Sequence, residues 1–150
     1  PEWIDFPRLE NNWSYKYARR QWSLVDNDLL KYQWLNEFDK AMISFVKNYK
    51  IMSSEQAWLL NADEGNKTIV FERNNLIFVF NWGCNSVSDY EISVKQPGSY
   101  RIIFSTDEKC FGGFENVRTD GVFFTYNIKN GVAMKIYNVS RTAFVFEKME

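Results

Sequence analysis

The amino-acid sequence predicts a mainly β protein, an antiparallel β-sandwich preceded by helices. Three observations carry this expectation. Apolar residues recur at every third or fourth position between Leu29 and Tyr49, the spacing of an amphipathic helix. After Asp63-Glu64-Gly65-Asn66 the apolar period changes to two. Short runs rich in Ile, Val, Phe and Tyr then follow one another, separated by turn-forming residues at hairpin-length gaps.

The chain opens with PEWIDFPRLENNWSYKYARRQW, which sets Trp3, Phe6, Trp13, Tyr15, Tyr17 and Trp22 among Arg8, Arg19 and Arg20. Lacking an initial Met and loaded with aromatics, it reads as the last piece of something larger. A helix is expected near Trp13–Leu24. Val25-Asp26-Asn27-Asp28 offers helix-start residues, with Asn27 or Asp28 as N-cap. The helix that follows places Leu30, Trp34, Phe38, Met42, Phe45 and Tyr49 on one face. Ser53-x-x-Gln56 resembles a capping box that would open a short helix through Leu60.

Strands are expected at Thr68–Arg73, Leu76–Asn81, Asp89–Val94, Ser99–Ser105, Val122–Tyr126, Ala133–Val139 and Thr142–Glu147. Asn74-Asn75, Gln96-Pro97-Gly98, Gly112-Gly113 and Asn130-Gly131 separate them. Gly112-Gly113 is a bend and not a phosphate cradle, because no Lys-Ser/Thr follows it. Phe78, Phe80, Tyr100, Ile102, Phe104, Ile136, Phe144 and Phe146 are the expected core. The division is therefore 1–62, helical, and 63–150, all-β.

Composition narrows the function classes. The 150 residues carry a net charge of −1 with Lys and Arg dispersed, so no basic field invites nucleic acid. No apolar run is long enough to span a bilayer, and no membrane partner is expected. The chain contains no His, which removes His-based triads, His-ligated metals and the commonest general base. Cys84 and Cys110 suit neither a zinc motif nor a redox pair, and are read as free, partly buried thiols in a reducing, cytoplasmic compartment. Neither metal nor cofactor is expected. Sequons begin at Asn12, Asn66 and Asn138, a tripeptide too common to carry weight.

The runs PEWIDFPR, NNWSYKYARRQW and LLKYQWLNEFDKAM resemble the end of the catalytic barrel of eukaryotic 1,4-α-glucan (glycogen/starch) branching enzymes, members of the α-amylase superfamily. EGNKTIVFER, LIFVFNW, PGSYRIIFSTDEKCFGGFENV and SRTAFVFEK are similar, in the same order, to that family's C-terminal all-β domain. The resemblance covers essentially the whole chain. Phe114-Glu115 departs from the family's usual His-Gln, and Asp120–Ile128 matches poorly.

The resemblance implies a (β/α)₈ barrel whose last helices lead into the sandwich. It also implies a retaining transfer of an α-1,4-glucan segment to a 6-hydroxyl, making an α-1,6 branch in glycogen biosynthesis. Such chemistry uses one carboxylate as nucleophile, a second as acid and base, and a third to position the sugar. By the resemblance these lie upstream of Pro1, so this chain is expected to hold no catalytic residue and to be inactive alone. Pro1–Asn12 would then follow the eighth barrel strand, on the face where barrel active sites are built. Glu2, Trp3, Asp5, Arg8 and Trp13 are the substrate-proximal candidates this implies. For Trp3 and Trp13 packing is the preferred alternative to stacking on sugar, and for Arg19-Arg20 structural bracing is preferred. The expected partners are α-glucan and the catalytic barrel, with self-association of the isolated chain as a further expectation. An alternative reading is a non-catalytic glucan-binding β-sandwich module, with Trp82 or exposed Tyr as its contacts.

Overall fold

The period-two runs do form strands. The computed structural model describes residues 5–16, 18, 22–54 and 56–150. Among them lie one α-helix, α1 (Tyr32–Asn48), and eight strands. These are β1 (Trp58–Asp63), β2 (Thr68–Arg73), β3 (Leu76–Asn81), β4 (Val87–Val94), β5 (Ser99–Ser105), β6 (Val122–Ile128), β7 (Gly131–Asn138) and β8 (Thr142–Lys148). The order across the sheet is β1-β2-β3-β8-β5-β6-β7-β4, and every neighbouring pair is antiparallel.

The sheet curls over on itself into a nearly closed sandwich, and β6 is the strand that makes this possible. Its first half pairs with β5 (Ser99↔Phe124, Arg101↔Val122), its second half with β7 (Thr125↔Met134, Ile128↔Gly131). A strand that changes partners partway along its length turns a corner between the two layers. The edge strands β1 and β4 meet on the other side: Asn61 Nδ2 donates to Tyr90 Oη at 2.9 Å, and Tyr90 Oη donates to Asp63 Oδ2 at 3.0 Å.

Two apolar layers result. Val70, Ile77, Val79, Tyr100, Ile102, Ile136, Phe144 and Phe146 belong to the interior between the sheet halves. Phe144 and Phe146 are almost fully enclosed, and burial of each side chain stabilises the fold by about 1.5–3 kcal/mol. The second layer lies on the outer face, where Leu76, Phe78 and Val145 meet Phe45, Val46 and Tyr49 of α1 and its end. β3 is thus apolar on both faces because both are covered. Phe80 and Phe104, expected in the core, belong to this outer layer and stay partly exposed.

Several expectations about the helical part are corrected. The helix expected near Trp13–Leu24 is absent among the described residues there, where short 3₁₀ turns lie at Leu9–Asn11 and Trp22–Leu24. α1 begins at Tyr32 without a side-chain cap. Asn27 instead closes the turn before it, its Oδ1 accepting from Leu29 N at 3.0 Å. Among the described residues from Ser53 to Leu60 no α-helix forms. Ser53 Oγ and Ser54 Oγ donate backwards to Lys50 O and Ile51 O (3.1 and 2.7 Å), finishing a 3₁₀ turn in place of capping a new helix. Trp58–Asp63 then pairs with β2, which satisfies its backbone in a ladder.

The sequon at Asn138 sits on β7 with Asn138 wholly buried, its Nδ2 donating to Thr68 Oγ1 at 2.8 Å, so this asparagine is closed to modification. Cys84 and Cys110 are free as expected but exposed, not partly buried.

Candidate functional site

Two regions compete as the functional site. The first is the N-terminal cluster singled out in the sequence. Glu2, Trp3 and Arg19-Arg20 lie outside the described residues. Asp5 and Arg8 do come together: Arg8 Nη1 stands 3.1 Å from Asp5 Oδ1, and Asn11 Nδ2 donates to Asp5 Oδ2 at 3.2 Å. Asn11 Oδ1 accepts from Arg8 N and Ser14 N, closing the turn. Trp13 follows at φ 56 with its ring largely exposed, its N–H bonded to Arg8 O. Among the described residues the bonds of Asp5, Arg8 and Asn11 are all local in sequence. The cluster is a self-contained polar turn beside an exposed indole.

The second region was not singled out. The segment between β5 and β6 is organised by Asp107. Its carboxylate accepts from three backbone donors, Phe114 N on Oδ1 at 2.9 Å, with Asn116 N and Val117 N on Oδ2 at 2.6 and 3.0 Å. Its own carbonyl accepts from Glu115 N at 2.9 Å. Gly113 is required here because a β-carbon would fall 2.1 Å from the Asp107 carbonyl oxygen. Glu115 is held at φ 57, a left-handed conformation unusual for a residue with a side chain. The loop so fixed becomes one wall of a groove of about 550 Å³. The opposite wall is Val122, Phe123 and Tyr137, and the floor is Phe144 and Phe146. The groove exists because β6 leaves β7 at Thr125, opening a wedge between the start of β6 and the end of β7.

Charge is arranged elsewhere for structure. The Asn66 side chain and backbone N–H bonded to Asp63 hold its carboxyl below the usual range. Burial, reinforced by the bond to Asp63, pushes the Tyr90 phenol up to about 12. Among the described residues no group of three or more acidic or Cys side chains could hold a metal ion. No helix of the described residues is long and apolar enough to cross a membrane.

An antiparallel sandwich curling through one corner strand, with a helix packed on its outer face, defines an all-β domain. Residues 58–148 match the family described as "Alpha amylase, C-terminal all-beta domain", and the chain belongs to that family. It is 44% identical over 156 residues to the 1,4-alpha-glucan-branching enzyme of Saccharomyces cerevisiae, covering 100% of this chain and 22% of that protein. It is 48% identical over 118 residues to the 1,4-alpha-glucan-branching enzyme of Rhizophagus irregularis (78% of this chain, 17% of that protein). To the Arabidopsis thaliana 1,4-alpha-glucan-branching enzyme 2-2, chloroplastic/amyloplastic, it is 40% identical over 161 residues (97% and 20%). The chain spans about a fifth of the length of the curated relatives it matches.

Proposed function

We propose that this chain is the C-terminal part of a 1,4-α-glucan branching enzyme, which moves an α-1,4-glucan segment to a 6-hydroxyl in glycogen biosynthesis. The observation that carries the reading is the reach of the likeness. The all-β family model covers residues 58–148, whereas the match to the yeast enzyme covers all of this chain. The extra residues include α1, which packs through Phe38 and Phe45 against Phe104, Phe111 and Phe78. The sandwich's role in this reading is mechanical: it grips the helix that joins it to a catalytic barrel.

Three of the carboxylates of this chain are engaged structurally, in keeping with a non-catalytic role. Asp107 is occupied by backbone donors, Glu72 pairs with Lys95 at 3.0 Å, and Glu147 pairs with Arg101 at 2.8 Å. The catalytic pair required by a retaining transfer then belongs to the barrel. Glu2, Trp3, Asp5, Arg8 and Trp13 would border its glucan-binding face. The two free thiols favour a reducing, cytoplasmic compartment.

A domain exchange tests the reading. Replacing the corresponding C-terminal part of the S. cerevisiae enzyme with this chain should leave an enzyme that branches amylose, followed by the falling iodine absorbance. The chain alone should leave the absorbance unchanged. A folded but inactive hybrid, or branching by the chain alone, would overturn it.

A further inference from the structure

We propose that Asn130, in the turn between β6 and β7, is a self-modifying site, where the chain's own backbone and water convert the side-chain amide to aspartate and isoaspartate. The reaction concerns this one peptide linkage and goes beyond the reading of the chain as part of a branching enzyme.

The chemistry is set by Asn130 and Gly131. The main-chain nitrogen of Gly131 gives its proton to solvent and attacks Asn130 Cγ. The amide nitrogen leaves as ammonia, and a five-membered succinimide closes. Water then opens the ring at either carbonyl. One opening gives aspartate; the other gives isoaspartate, in which the main chain runs through the side-chain carbon. Water is the only co-reactant, and each product replaces a neutral amide with a carboxylate. The attack depends on how closely the nitrogen can approach, and a residue without a β-carbon leaves that path clear.

Three conditions meet at this linkage. Asn130-Gly131 is the one Asn-Gly pair in the sequence. Both residues are exposed, and nothing lies within 4 Å of the place where a β-carbon on Gly131 would stand, so the ring has room to form. The Asn130 side chain has no hydrogen-bond partner among the described residues, so its amide is free to turn toward the main chain. The ladder between β6 and β7 ends at Ile128↔Gly131. Only that last pair has to part to release the nitrogen, and the ends of ladders open at little cost.

The other asparagines fail these conditions. Asn61, Asn66, Asn74 and Asn138 hold their amides in hydrogen bonds to Tyr90, Asp63, Tyr49 O and Thr68. Asn116 is the nearest rival, since its side chain is also unpartnered among the described residues. The residue after it is Val117, β-branched, buried, and held through its nitrogen to Asp107 Oδ2 at 3.0 Å.

The position of the pair gives the change a consequence. β6 joins the two halves of the sheet, and its second half is held to β7 from Thr125↔Met134 to Ile128↔Gly131. Isoaspartate lengthens the main chain of the short Lys129-Asn130 turn by a carbon atom and adds a negative charge to a chain of net charge −1. The altered turn loosens the corner from its β7 end, and the loosened fraction grows with the age of the protein.

The folded chain, held at neutral and at mildly alkaline pH and sampled over weeks, is read by peptide mapping in a mass spectrometer. Electron-transfer fragmentation separates isoaspartate from aspartate. Asn130 should gain the mass of amide-to-acid conversion first, at least about tenfold faster than Asn85 or Asn116, which corresponds to about 1.4 kcal/mol in barrier. Both products should appear, and the rate should rise with pH because the attacking nitrogen must lose its proton. Asn130→Gln, whose amide stands one carbon further away at an exposed position, should keep the fold and stop the reaction. In aged chain, amide exchange should quicken at Asn127 and Val132 while β3 and β8 stay protected. Earlier conversion of another asparagine, aspartate without isoaspartate, or an intact Asn130 in folded chain while urea-unfolded chain converts would overturn the proposal. Identical exchange in aged and fresh chain would overturn the loosening of the corner. None of these outcomes bears on whether the yeast hybrid branches amylose.

Discussion

Gly112 lies flat against the indole of Trp34. A β-carbon on Gly112 would stand 2.5 Å from Trp34 Cε3, and the glycine's φ of 79 is itself left-handed. Here the loop after β5 meets the first turn of α1, and Phe111 beside it meets Phe38 edge-on at 5.5 Å. The Gly-Gly pair is thus a docking surface for the helix on one side and, through Gly113 and Asp107, the anchor of the groove wall on the other.

Gly112→Ala should lower stability by about 2–5 kcal/mol, about 1–2 from the left-handed backbone and about 1–3 from overpacking on the indole. In a Trp34→Ala background the second part should vanish, leaving the glycine substitution at about 1–2 kcal/mol. Urea denaturation of the two single variants and the double variant measures this coupling. Additive costs would show that the helix is not held by this contact.

Asp107→Ala should cost about 3–5 kcal/mol, since three backbone donors lose a charged acceptor at one stroke. Asp107→Asn, which keeps one carbonyl oxygen, should fall between. Amide hydrogen exchange should quicken at Asn116 and Val117 well before it does in β3 and β8. Uniform acceleration across the sheet would mean the loop and sandwich unfold as one unit.

The clasp between β1 and β4 should make the fold sensitive to alkali. Burial, then the neighbouring Asp63, raises the Tyr90 phenol to about 12 in the folded state against 10.0 ordinarily. The proton is therefore held more tightly when folded. The stability this contributes is complete below pH 10 and is lost as pH rises through 12. Tyr90→Phe should flatten that alkaline loss while lowering stability near neutral pH by about 1–2 kcal/mol, because Asn61 and Asp63 lose their partner. Asp63 is shifted the other way. Its contribution is present above 3.8 and is lost as pH falls, so Asp63→Asn should flatten the acid limb. Thermal melts across the pH range read both.

The isolated chain should self-associate through α1. Leu35 and Ile43 are exposed on a helix that buries no residue fully, and Leu29 just before it is 92% exposed. Leu35→Glu with Ile43→Glu should shift sedimentation velocity profiles toward monomer with little change in melting temperature, as expected for exposed positions. A wild-type chain that is monomeric at high concentration would remove the basis for this surface.

The strands were legible where local pattern and turn chemistry agree. β2, β3 and β5 occupy the residues that their runs of Ile, Val, Phe and Tyr between turn residues predict, and Asn74 and Asn75, both at positive φ, make the turn expected between β2 and β3. β1 was hidden because it is an edge strand with a shift in register between Leu59 and Asn61, which breaks the period of two. Its approach also carries Ser53-x-x-Gln56, whose serines serve the preceding turn. Asp5 and Arg8 were legible as partners because they are neighbours in sequence. Arg118 and Tyr137 were not legible as neighbours on one groove, because they lie on separate elements.

The sequence by itself determined the family, the antiparallel all-β character, the amphipathic helix and the interior places of Tyr100, Ile102, Ile136, Phe144 and Phe146, since each depends on residue type and on the face a residue takes within its own element. Only the tertiary structure decided that β3 lies beside β8, with Leu76 opposite Glu147, and that β6 divides between β5 and β7. Those pairings join residues far apart in the chain, and their stability comes from burying two faces at once, which no window of neighbouring residues records. The groove follows from that division of β6, so it becomes visible only once the sheet has closed.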